Sequence, residues 1–237
     1  MKNSTKEIIN EINTYRDESK AAFLPRFFKT GKGEYGEGDQ FIGVVVPNLR
    51  IVAKKHFDAD FDTLRELLAS PYHEYRLTAL LALTYRYAKL KDHTSRETCV
   101  NFYVSQVDAI NNWDLVELSC YKILGHWLFD KDKQLLYDWA KENHLWKQRI
   151  AIISCMHFVK QGEFKDALAI ADLLQHHPHD LIHKAVGWIL REIGKEDEQL
   201  LVDYLTPRYK EMPRTMLRYA IERFEEGKRK AFLNSTI

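Results

Sequence analysis

The chain has 237 residues, 45% of them hydrophobic and 29% charged, the balance of a globular protein with material for a sizeable core. A net charge of +1 excludes capture of an acidic partner by global charge excess, so a nucleic-acid partner requires cations segregated onto one face. The three cysteines, Cys99, Cys120 and Cys155, lie far apart in apolar segments and form no C-x-x-C pair, which reads as buried reduced thiols and not as a metal site or a disulfide framework.

No run reaches the ~18 apolar residues of a membrane span, and MKNSTKEIINEINTY lacks the apolar stretch of a secretory signal, so the expected location is the cytoplasm. Ile8, Ile9, Ile12 and Tyr15 mark a first amphipathic helix, and AAFLPRFFKT continues as helix. The glycine-rich stretch TGKGEYGEGDQF follows and contains GKGEYG, a fit to the phosphate-cradling pattern G-x-G-x-x-G. That pattern carries weight only after a strand and before a helix. Here it follows a helix, no βαβ unit is present, and Glu34, Glu37 and Asp39 would repel phosphate. It is a connection between helices, with no nucleotide cofactor. The run Ile42–Val46 ends at Pro47 and reads as a loop that buries apolar side chains. The six prolines, Pro25, Pro47, Pro71, Pro178, Pro207 and Pro213, fall where helices begin or stop.

Four segments then resemble one another: HEYRLTALLAL at 73–83, LWKQRIAIISCM at 145–156, LIHKAVGWILRE at 181–192 and MLRYAIERF at 216–224. Each sets a basic residue before an apolar helical run. Arg149 follows Arg76 by 73 residues, Lys184 follows Arg149 by 35, and Arg218 follows Lys184 by 34; NNWDLVELSCYKIL fills the double interval. A period of this size built from helix pairs predicts an all-α chain, an α-solenoid, and the recurrent cations line its concave groove if they face that side. The expected organisation is one domain over 1–237: N-terminal helices at 4–30, the glycine loop at 30–41, repeats at about 47–226 and a short tail.

Within NNWDLVE, Asn112 is a good helix N-cap and Asp114 suits the first turn. Trp113 and Glu117 are four apart and share one helix face. Lys184, Trp188 and Arg191 share a face of a later helix at i, i+4 and i+7. The loop QHHPHD at 175–180 lacks a second ligand cluster at fixed spacing, so no metal is expected there, and Asp180 reads as the cap of the next helix. The tail EEGKRK at 225–230 reads as a solvated helix end.

NNWDLVE, LWKQR and HKAVGWILRE, preceded by FIGVVVPNLRIVAKK and the glycine loop, resemble the DNA alkylation repair enzymes, the AlkD-like DNA glycosylases, from about residue 20 to about residue 195. The resemblance implies a stack of HEAT-like repeats with a concave DNA-facing surface. It implies excision of N3- and N7-alkylated purines from duplex DNA by a monomeric, nucleoid-associated protein with no metal or organic cofactor. It makes Glu117 the catalytic carboxylate, where the family's usual residue is aspartate. Trp113 and Trp188 would pack against the sugar and backbone at the lesion, Arg149 would hold phosphate, and Lys184 and Arg191 would extend a DNA-facing stripe. Phe27 and His157 stand where the family's characterised type has a tyrosine and a lysine. The family engages the backbone around the lesion and encloses the base in no deep pocket. The alternative is a non-catalytic HEAT-like scaffold that binds DNA or protein through the same face.

Overall fold

The computed structural model describes residues 4–237. Its residues form two compact units, one running to Ile123 and the other Leu124–Ile237. Regular secondary structure among the described residues is helical, apart from a single bridge between Gln40 and Tyr72.

The first unit contains α1 (Thr5–Asn13), α2 (Glu18–Phe27), α3 (Val46–Lys55), α4 (Phe61–Leu68), α5 (His73–Lys89), α6 (His93–Ser105) and α7 (Trp113–Glu117). Polar caps start most of them. The side chains of Ser4, Asp17, Asp60 and Asp92 each accept from a backbone N–H three residues on, which satisfies one of the orphan donors of a first turn. Pro47 sits in the first turn of α3, where its missing N–H costs nothing. Helix α5 is the centre of the unit. Leu77, Leu80, Leu81 and Leu83 are buried around its circumference, and α3 and α4 pack onto it. A helix apolar on all sides has to be a central one.

The second unit contains α8 (His126–Leu128), α9 (Gln134–Lys141), α10 (Leu145–Ser154), α11 (Met156–Val159), α12 (Lys165–Leu174), α13 (Asp180–Glu196), α14 (Glu198–Leu205), α15 (Arg214–Ala220) and α16 (Glu226–Asn234). Helices α10 and α13 are its core and pack on each other. Gly187 lets α15 approach α13 closely, since a Cβ there would lie 2.5 Å from the Met216 carbonyl oxygen. The segment read as a tail is α16, pinned by the buried ring of Phe232 against Tyr209 and Phe224.

The four similar segments fall on α5, on α10 with α11, on α13 and on α15. The cations that precede them do not share one environment. Arg76 and Arg149 are buried, Lys184 is half-buried and Arg218 is exposed. A uniform basic row is therefore corrected: sequence spacing shows where a cation sits along a helix, not whether a carboxylate or carbonyl of the same unit has taken it inside. Two smaller expectations also change. Pro25 lies inside the last turn of α2 instead of ending it. His179, not Asp180, caps α13, its Nδ1 accepting from the Leu181 N–H at 3.1 Å.

Candidate active site

The glycine loop shows what its acidic residues are for. Glu34 accepts from Gly31 N–H at 2.8 Å, and Glu37 accepts from Gly33 N–H at 2.7 Å. The donors that a phosphate would need are thus taken by the loop's own carboxylates. Asp39 turns inward. It accepts from Arg76 Nη2 at 2.7 Å and from Asn112 Nδ2 at 3.2 Å, and it faces His73 Nδ1 at 3.3 Å. Asp39 is held below the usual carboxylate range: burial works against that, and His73 and Arg76 outweigh it.

His73 opens α5 and is buried. Its Nε2 lies 2.9 Å from Asp114 Oδ2, in the first turn of α7. Burial alone would push the imidazolium's pKa down. The charge and hydrogen bond of Asp114, with the hydrogen bond of Asp39, raise it instead to about 9. His73 is therefore a cation at neutral pH, with both N–H groups donating to carboxylates. Asn112 caps α7 by accepting from Trp113 N–H at 2.8 Å, as its position in the sequence predicts, and it also reaches back to Asp39. Glycine loop, α5 and α7 are joined by one buried ionic network.

That network fixes the short helix carrying Trp113 and Glu117. Trp113 stacks on Phe28 with centroids 5.4 Å apart, and Phe27 meets it edge-on at 5.7 Å. Phe28 also stacks on Phe41 at 5.0 Å, and the His73 ring lies 4.6 Å from Phe28 and 5.1 Å from Phe41. A cationic imidazole packed against two aromatic rings is favoured by their electron-rich faces. Beside these rings is a cavity of about 360 Å³, to whose lining Phe27, Phe41, Trp113, Glu117 and Glu74 contribute. Helix α2 buries none of its side chains and presents Phe23 and Phe27, four apart, at 62% and 53% exposure. Phe27, exposed and sharing the cavity lining with the half-buried Glu117, offers a ring for stacking.

Glu74 was not legible as a site residue. Its Oε1 accepts from three consecutive N–H groups, Ile42 at 3.1 Å, Gly43 at 2.8 Å and Val44 at 3.3 Å. Burial, more than anything else, raises its pKa above the ordinary value. The clasped turn needs glycine at 43: φ is +82°, and a Cβ would stand 1.9 Å from the Asp17 carbonyl oxygen. The sequence signal for His73 and Glu74 is a pair of ionisable residues heading a helix whose following run, Leu77–Leu83, is almost wholly apolar.

The other five candidates lie in the second unit. Arg149 is buried, and its Nη1 donates to the Leu181 carbonyl oxygen. Lys184 pairs with Asp180 at 2.6 Å. Trp188 is half-buried and donates from Nε1 to Glu192 at 3.2 Å. Arg191 bonds to Glu192 at 3.3 Å and to Glu222. His157 packs against His126 and Phe129; burial first, then His126 and Lys160, lower its pKa and favour the neutral ring. The imidazoles of the 175–180 loop are occupied locally, with His177 bonded to Gln148 at 3.0 Å.

Among the described residues no helix is long and apolar enough to cross a membrane. The sequence pattern of one family, described as DNA alkylation repair enzyme, matches residues 8–224. Several solved structures are similar, among them the following two. One, titled "Predicted DNA alkylation repair enzyme from Enterococcus faecalis", superposes with a TM-score of 0.68 at 13% identity, covering 89% of this chain and 97% of that one. The other, AlkD2 from Streptococcus mutans, has a TM-score of 0.54 at 16% identity, covering 88% of this chain and 99% of that one. No curated protein matches. The likeness of the solved structures extends the all-helical architecture to a shared helical-repeat fold.

Proposed function

This chain belongs to the DNA alkylation repair enzyme family, and from that premise we propose that it is a DNA glycosylase removing cationic N3- and N7-alkylated purines from duplex DNA. The observation that carries the reading is the position of Glu117: a carboxylate at an aromatic-lined cavity, on a short helix that a buried ionic network holds in place.

The chemistry asks little of the protein. An N-alkylated purine already bears positive charge and leaves as a neutral base, taking the electron pair of the bond to C1′. Charge then develops on the sugar as an oxocarbenium-like cation. Glu117 stabilises that charge and orients the water whose oxygen bonds to C1′ and whose proton is lost to the carboxylate or to solvent. Trp113 and Phe27 offer aromatic faces and edges to the sugar and its neighbours, which favours an electron-poor ring. No residue here is asked to donate a proton to the leaving group, and no cofactor is required.

From the second unit, Trp188 packs on the backbone while Lys184 and Arg191 bind phosphate; Arg149, buried and bonded to the Leu181 carbonyl, supports the structure and does not hold the phosphate its sequence position suggests. Lys184 and Arg191 already have carboxylate partners, so they exchange one anion for another. This exchange limits their net gain and favours modest affinity. The same neutralised cations support the second reading, a non-catalytic HEAT-like scaffold that binds DNA or protein. Abasic-site formation on a duplex carrying one 7-methylguanine, compared between wild type and Glu117→Gln, separates the two. Excision that depends on Glu117 supports the glycosylase; its absence in wild type leaves the scaffold.

A further inference from the structure

Histidines supply the backbone acceptors at the start of α13, and a ring nitrogen accepts only while it carries no proton. His179 Nδ1 accepts from the Leu181 N–H at 3.1 Å, and His177 Nδ1 accepts from the His179 N–H at 3.0 Å. The proton of the neutral His177 ring is thereby placed on Nε2, which donates to Gln148 Oε1 at 3.0 Å. His183 donates from Nε2 to the His177 carbonyl oxygen. Gln148 belongs to α10, so this loop fastens the start of α13 to its core partner. A second fastening lies beside it, where Arg149 of α10 donates to the Leu181 carbonyl oxygen in the first turn of α13. Helix α10 is capped in the same manner, His144 Nδ1 accepting from the Lys147 N–H at 3.3 Å.

A proton added at Nδ1 of His177 or His179 turns an acceptor into a donor that faces another N–H. It also sets positive charge at the N-terminus of a 17-residue helix, where the dipole opposes it. The groups that face His179 are Asp180, His183, Arg149 and Lys184; those that face His177 are His179 and His183. Of these only Asp180 favours the proton, and Lys184 already pairs with it at 2.6 Å. Burial first, then the two neighbouring imidazoles, lowers the pKa of His177. Burial first, then His183, Arg149 and Lys184 working against Asp180, lowers that of His179. Groups lowered in this way contribute fully above their unfolded value, near 6.5, and lose that contribution as pH falls from there through the folded values.

We propose that residues 177–181 form an acid-sensitive latch, in which proton uptake by His177 and His179 releases the first turn of α13 from α10. Helix α13 also carries Lys184, Trp188 and Arg191, so the latch couples proton uptake to the surface proposed above for DNA.

Amide hydrogen exchange on the full chain, with no DNA present, reads the latch separately from the glycosylase reading. Protection of the His179 and Leu181 N–H groups, corrected for intrinsic rate, should fall about tenfold between about pH 7.5 and pH 5.5, as loss of a helix cap implies. In His177→Asn combined with His179→Asn, side-chain amide oxygens replace both Nδ1 acceptors and take up no proton in this range. The double variant should keep its protection at the lower pH. Constant protection in the wild type, or an equal fall in the variant, overturns the proposal. Where the double variant does not fold, nitrogen chemical shifts of the wild-type rings decide. Neutral Nε2–H rings that gain their proton as Leu181 loses protection support the latch; rings already charged at about pH 7.5 overturn it.

Discussion

His73 and Asp114 meet across 2.9 Å inside the first unit, and this contact ties the start of α5 to the first turn of α7. Because α7 is only the five residues Trp113–Glu117, it has little stability of its own and takes its orientation from this tie and from the Asn112 cap.

Removing the imidazolium therefore does more than open a hole. His73→Leu leaves buried Asp114 without its cation and should cost about 3–5 kcal/mol, as breaking one side of a buried ion pair does. Urea unfolding at pH 7 measures it. A loss below about 1 kcal/mol would show that the network is dispensable.

The raised pKa of His73 has a consequence for stability. A group whose folded pKa lies above its unfolded value stabilises fully below the unfolded value, near 6.5, and loses that contribution as pH rises through about 9. Asp39 has the opposite sign. Its folded pKa is lowered, so its contribution is present above about 3.8 and fades as pH falls below it. The His73 and Asp39 contributions are both full between about pH 4.5 and 6.5, and loss of the His73 contribution should lower the melting temperature toward pH 9. In His73→Gln the alkaline decline should be largely gone.

Glu117→Gln keeps size and removes charge. Excision should fall tenfold to a thousandfold, since a single electrostatic stabiliser is worth ~2–4 kcal/mol, while binding to an uncharged abasic duplex changes little. Chelation by EDTA should leave the rate alone. Undiminished excision by the variant would remove Glu117 from the mechanism.

The two basic candidates of the second unit should part company. Lys184→Ala should weaken duplex binding and flatten the dependence of log affinity on log salt by about one. Arg149→Ala should instead destabilise the fold by about 1–3 kcal/mol, because the Leu181 carbonyl loses its donor, with the salt slope unchanged. Binding isotherms across salt, beside thermal melts, distinguish a residue that touches DNA from one that supports the structure.

Gly43→Ala should be severe. A Cβ has no room against the Asp17 carbonyl, and φ of +82° is strained for any L side chain. A loss of about 3 kcal/mol, read by denaturant unfolding, is expected, with the Glu74 clasp of residues 42–44 disturbed. A near-neutral effect would mean the loop can refold around Glu74.

The sequence by itself determined what depends on neighbours a few residues away. Helical periodicity located the elements, Asn112 announced a cap, and the spacing of Trp113 and Glu117 put them on one short helix. GKGEYG follows a helix, the setting of a connection between helices. Tertiary structure decided what depends on distant partners. Asp39 and His73 are 34 positions apart, and His73 and Asp114 are 41. Nothing local shows that the aspartate of an acidic glycine loop turns inward, that Arg76 and Arg149 are buried while Arg218 is exposed, or that Glu74 clasps the N–H groups of residues 42–44. A charged side chain is equally at home on a solvated face and in a buried pair. Which one it occupies is set by the opposite charge that folding brings beside it.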